Sequence, residues 1–90
     1  MPAGTDVIEV EIWTPIIRPE TGDFSAEGAR ELLRLSIPET DRTRAFELGN
    51  KANQGSLTES EAAELDNYLN VARTLELIKA KARRSIKAAA

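Results

Sequence analysis

Asp6-Val7-Ile8-Glu9-Val10-Glu11-Ile12-Trp13 is the stretch on which the reading of the fold turns. Ile8, Val10 and Ile12 alternate with Glu9 and Glu11, the period-2 pattern of a half-buried β-strand written in β-branched residues. The pattern predicts a strand over about residues 6–13. Everything after Phe24 reads as helix or as turns between helices, so this strand has no evident mate for its backbone N–H and C=O groups. Pro15 and Pro19 argue against a helix just downstream and interrupt any local ladder. The expected mate is another polypeptide, either a second copy or a different protein. Val7, Ile8, Val10, Ile12 and Trp13 are then the residues expected at the contact, through addition of a strand to a partner sheet.

Working outward, Glu20-Thr21-Gly22-Asp23 is a turn cluster, and three helices follow it. The first is expected over about residues 26–35, with Ser25 as N-cap and Phe24 placed to staple onto Ala29. Ser36-Ile37-Pro38 breaks it, and Pro38 can open the second helix, about residues 38–53. That helix carries the stripe Ala45, Phe46, Leu48, Gly49 and Ala52, where Gly49 suggests a close approach by a neighbouring helix. Gly55 suits a left-handed C′ position.

Thr58-Glu59-Ser60-Glu61 is a capping box and opens the third helix. No Gly or Pro follows it, so the helix should run over about residues 59–86, some 42 Å at ~1.5 Å per residue. Its apolar positions 65, 68, 72, 75, 82 and 86 alternate three- and four-residue steps, with Lys79 interrupting the series. The two preceding helices are too short to cover it, so its C-terminal half should project or meet another chain. Leu77 lies off the main stripe, and with Ile78 it is a candidate for such a contact. The chain thus reads as mainly α: an extended N-terminal arm over residues 1–24 with its strand, then a helical domain over residues 25–90.

Composition narrows the function classes. Ninety residues make one small domain at most, and domains of this size are marginal unless assisted. There is no Cys and no His, which removes disulfides, thiolate sites and imidazole ligands. Oligomerisation or a permanent partner is the remaining common remedy. No apolar run approaches the ~20 residues of a membrane span and the start lacks a signal-peptide pattern, so a cytoplasmic location is expected.

The net charge of −3 hides an asymmetry: residues 1–66 carry 14 acids against 6 bases, whereas residues 67–90 carry 1 acid against 6 bases. Acids early and bases late in one long helix suit its dipole. The basic end, Lys79, Lys81, Arg83, Arg84 and Lys87, could also meet nucleic acid phosphates or an acidic partner. It lacks interleaved aromatics, and the chain as a whole is acidic. The carboxylate groups Glu9/Glu11 and Glu59/Glu61/Glu64 have no neighbouring residue type that would tune them for acid–base work. The five glycines, at 4, 22, 28, 49 and 55, form no phosphate loop. No catalytic residue, metal ligand or cofactor site is expected.

The run Ala29-Arg30-Glu31-Leu32-Leu33-Arg34-Leu35, then Asp41-Arg42, Glu47-Leu48, Lys51-Ala52 and Gly55-Ser56-Leu57-Thr58, resembles a group of small helical bacterial proteins of unassigned activity. Glu61, Glu64 to Leu69, Val71, Leu75 and Lys81 to Lys87 extend the likeness, which covers roughly residues 16–87. Such proteins look like antitoxin or immunity-type partners of a nuclease. The resemblance implies a non-enzymatic neutraliser that binds a nuclease or other effector. The alternatives are a DNA- or RNA-binding regulator using the basic helix end, and a self-assembling structural subunit.

Overall fold

The computed structural model describes residues 8–90, and among them every regular element is an α-helix: α1 Glu9–Ile17, α2 Ala26–Leu32, α3 Glu39–Asn53 and α4 Glu59–Ala89. The expected N-terminal strand is therefore corrected: residues 9–13 are the first turns of α1, and the mainly α fold has no β-arm among its described residues. Residues 6 and 7 of the expected strand lie outside the described residues.

The reason is a degeneracy of spacing. Ile8 and Ile12 satisfy a period of two, but with Ile16 they also form an i, i+4, i+8 row on one side of a helix. Glu9 and Glu11 sit in the first turn, where the helix dipole favours carboxylates. The Trp13 indole N–H donates to Glu9 Oε2 at 3.1 Å, a bond between positions four apart that only the helix creates. Pro15 sits inside α1. It stands near the C-terminal end, and the one carbonyl it leaves without a donor belongs to exposed Glu11, where water can serve. The helix closes at Arg18, a non-glycine residue at φ 56°, whose N–H bonds Thr14 O at 2.8 Å.

By its contacts the chain divides into two compact units: the described residues up to Ser36 together with Arg73–Ala90, and Ile37–Ala72. In the first unit, Ile17, Ala29 and Ala82 are the buried apolar residues. Residues 17–24 lie along α4, where Gly22 approaches so closely that an added Cβ would stand 2.8 Å from Arg84 O. Close approach is thus the role of Gly22, not of Gly49, whose absent Cβ would meet open space. The C-terminal half of α4 does not simply project, since Lys81, Ala82 and Ser85 are buried. Ser25 caps α2 through Gly28 N–H at 3.0 Å, and α2 ends at Leu32, three residues earlier than its periodicity suggests. The bonds Arg34 N–H to Glu31 O and Leu35 N–H to Leu32 O then tighten the chain into turns.

The second unit holds α3 and residues 59–72 of α4. Leu48 is its fully buried side chain, whereas Phe46, expected on the same stripe, is 70% exposed. Arg44 grips Glu64 bidentately at 2.8 and 2.9 Å, Lys51 pairs with Glu61, and Tyr68 OH donates to Asp41 at 2.9 Å. The Arg44 guanidinium and the Lys51 ammonium hold Glu64 and Glu61 below the ordinary carboxylate value. Gly55 is left-handed at φ 70°, as a C′ residue should be.

The capping box is complete: Glu61 N–H donates to Thr58 Oγ1 at 3.1 Å, and Thr58 N–H to Glu61 Oε1 at 3.0 Å. Thr58→Ala is expected to cost about 1 kcal/mol in a urea titration, the usual loss for an N-cap. A variant with an unchanged midpoint would show that the box adds nothing to the start of α4.

Candidate functional site

The sequence-predicted contact residues at the N-terminus divide between two sides of α1. At ~100° per residue, Val10 and Ile17 face one way, and Ile8, Ile12 and Ile16 face another. Val10 is half-buried and Ile17 buried, so that side packs on the unit. The other side is open: Ile8 is 42% exposed, Ile12 58%, Trp13 38% and Ile16 64%. Ile8 at the N-cap, Ile12 and Ile16 form one exposed row with Trp13 beside it, unlike the isolated exposed apolar residue that needs no explanation. Glu9 lies within this face and holds the indole of Trp13, which limits the rotamers open to an aromatic anchor. Val7 lies outside the described residues. Ile16 was not among the expected contacts, although its four-residue spacing from Ile12 was visible.

On α4, Leu77, Ile78 and Lys79 are half-buried, and Arg83, Arg84 and Lys87 are exposed. Lys81 does not join them. It is 5% exposed, and its ammonium donates to Ile17 O at 2.8 Å and Thr21 Oγ1 at 3.3 Å while pairing with Asp23 Oδ1 at 2.6 Å. The Phe24 ring lies 4.8 Å from the same nitrogen. Three donor hydrogens meet three acceptors, so the amine is fully used. Asp23 is held below its ordinary value, chiefly because Lys81 donates to it. One helical turn on, Ser85 Oγ donates to Lys81 O at 2.8 Å and accepts Phe24 N–H at 3.1 Å. Phe24 thus serves this clasp besides preceding α2.

Lys81 and Ser85 could suggest a nucleophile and its base. The geometry argues otherwise, because the Ser85 hydrogen goes to a backbone carbonyl and both side chains are closed to solvent. The pair is a clasp that fixes residues 17–24, and hence the end of α1, on α4. A signal for it was present: Ile78, Lys81, Ala82 and Ser85 follow the i, i+3, i+4, i+7 steps of an inward stripe.

The expected basic cluster is correspondingly thinner at the surface. Lys81 is inside, and Arg83 is tied to Glu76 at 2.6 Å. Arg84 and Lys87 make no ion pair among the described residues. Among the described residues no cluster of carboxylates could hold a metal ion, and no helix is long and apolar enough to cross a membrane. Compared with protein-family models, curated proteins and solved structures, the chain matches none.

Proposed function

We propose that this chain is a non-enzymatic protein-binding module, most concretely an antitoxin-like neutralising partner of a nuclease or another effector. The observation that supports the reading is the open apolar face of α1, Ile8, Ile12 and Ile16 beside the tethered Trp13. Such a face is laid into an apolar groove by helical anchors at i, i+4 and i+8, and Trp is the residue type most enriched among binding hot spots. Strand addition is not part of this reading, since residues 9–13 are helical. The half-buried Leu77 and Ile78 on α4 play a lesser part. A cytoplasmic location and the resemblance to immunity-type proteins belong to the same proposal.

The test is co-purification of the chain with the products of its neighbouring genes, followed by substitution on α1. Ile12→Asp with Trp13→Ala should weaken the complex by roughly 30-fold or more, the equivalent of about 2 kcal/mol for a hot spot. Both side chains are exposed enough for the helices to persist, which circular dichroism would verify. A complex that survives both substitutions unchanged would move the interface away from α1.

One observation favours a second reading, a nucleic-acid-binding regulator: Arg83, Arg84 and Lys87 are exposed at one helix end. With Lys81 inside and Lys79 half-buried, three exposed contacts remain, and their salt slope would be no steeper than about 3. Tight nucleic-acid binding by the wild-type chain at physiological salt would promote that reading over the first.

A further inference from the structure

The chain carries two exposed surfaces of opposite character within the same unit. One is the α1 face just described, apolar, with the carboxylates Glu9 and Glu11 as the charged groups on the same helix. The other is the outer side of the α4 end, where Ala80, Arg83, Arg84 and Lys87 line a shallow recess. At ~100° per residue Ala80, Arg83 and Lys87 stand about 100–160° around α4 from Lys81 and Arg84 about 60°, so most of the recess is turned away from the clasp. It is lined by the Ala80 methyl and by three long cationic side chains that carry aliphatic stems, of which Arg83 is paired with Glu76 while Arg84 and Lys87 make no ion pair among the described residues.

We propose that α1 of one chain docks into the α4 recess of a second copy. Ile12 and Ile16 cover the Ala80 methyl and the aliphatic stems, Trp13 offers its ring to a guanidinium, and Glu9 and Glu11 meet the cationic heads. Charge complementarity selects this occupant over another α1. Two α1 faces laid together would bring carboxylates into one apolar seam, whereas the recess presents the opposite sign. Because the two surfaces differ, the contact is heterologous, and each chain of a pair keeps one unused surface to which a further copy can add. The inference goes beyond the effector-binding reading and needs no effector. It describes what covers the α1 face when no effector is present, and an effector that takes α1 would displace the second copy.

The experiment uses two charge-reversed full-length chains, Glu9→Lys/Glu11→Lys and Arg84→Glu/Lys87→Glu, in sedimentation equilibrium, with circular dichroism to verify folding. The wild type should associate with rising concentration, and salt should weaken the association. Each variant alone should show a dissociation constant raised about tenfold or more. Mixed in equal amounts they should associate again, since the intact α1 of one variant meets the intact recess of the other and the two reversed surfaces are also of opposite sign. A wild type that stays monomeric at every concentration reached would overturn the proposal. So would a base-reversed chain that self-associates like the wild type, the mark of symmetric α1 pairing, or folded variants that ignore each other on mixing. Should a double variant fail to fold, Ile16→Asp, at a 64% exposed position, supplies the same test, with loss of association expected and retention contradicting it.

Discussion

Lys81→Ala is expected to lower stability by about 3 kcal/mol, and to do so less at low pH than at neutral pH. Its ammonium is the donor for Ile17 O at a buried residue, and truncation leaves that carbonyl without one. An unsatisfied buried acceptor costs ~1–3 kcal/mol, and removal of the three methylenes beyond Cβ from the interior adds a cavity. Asp23 and Thr21 are better placed to recover water, so their loss adds less.

The pH dependence follows from Asp23. Its folded pKa is depressed below the ordinary 3.8, so its stabilising share is complete above that value and is lost as pH falls through the folded pKa. Below that point Lys81 is a buried charge without its counter-ion, and the wild type loses part of its advantage over the variant. Glu61 and Glu64, depressed from 4.5, add an acid sensitivity that both chains share. Thermal melts of the two chains at neutral pH and near pH 3 check this. A gap between them that stays constant across that range would mean Asp23 contributes nothing through Lys81.

In the other unit, Leu48→Ala should cost about 2–5 kcal/mol, the range for truncating a buried leucine. Leu48 is completely buried, and the polar ties around it cannot replace it. The side chains of Arg44 and Glu64 are 38% and 37% exposed, and exposed ion pairs usually contribute about 1 kcal/mol or less, less than a buried leucine, with bidentate geometry the favourable case. Phe46→Ala, two residues earlier and 70% exposed, should change stability by no more than about 0.5 kcal/mol. Urea unfolding of both variants, with amide exchange along α3, measures the contrast. Equal losses would mean that Phe46 is covered in solution, and that α3 meets a partner there.

The contrast between Leu48 and Phe46 shows how far a stripe can be read. The expected stripe put both on one face, but at ~100° per residue they stand about 160° apart around α3, so one side of the helix cannot bury both. Only the neighbour decides which of the two sides is inside. Gly49 and Gly22 teach the same lesson. A glycine in a helix suggested close packing, yet the close approach occurs at the turn glycine, against a backbone more than sixty residues away.

What the sequence determined by itself was a set of caps and turns settled within about four residues. The Thr58–Glu61 box, the Ser25 cap, the left-handed Gly55 and the Gly- and Pro-free run of α4 each depend on groups that are neighbours along the chain. What only the tertiary structure decided was the state of residues 9–17 and the place of Lys81. Isoleucines four apart fit a strand and a helix alike, and Pro15 weighs against helix until its position near the helix end is known. A lysine is expected at the surface unless acceptors await it inside. Those acceptors, Ile17 O and Thr21 Oγ1, lie 64 and 60 residues away, beyond the reach of any local pattern.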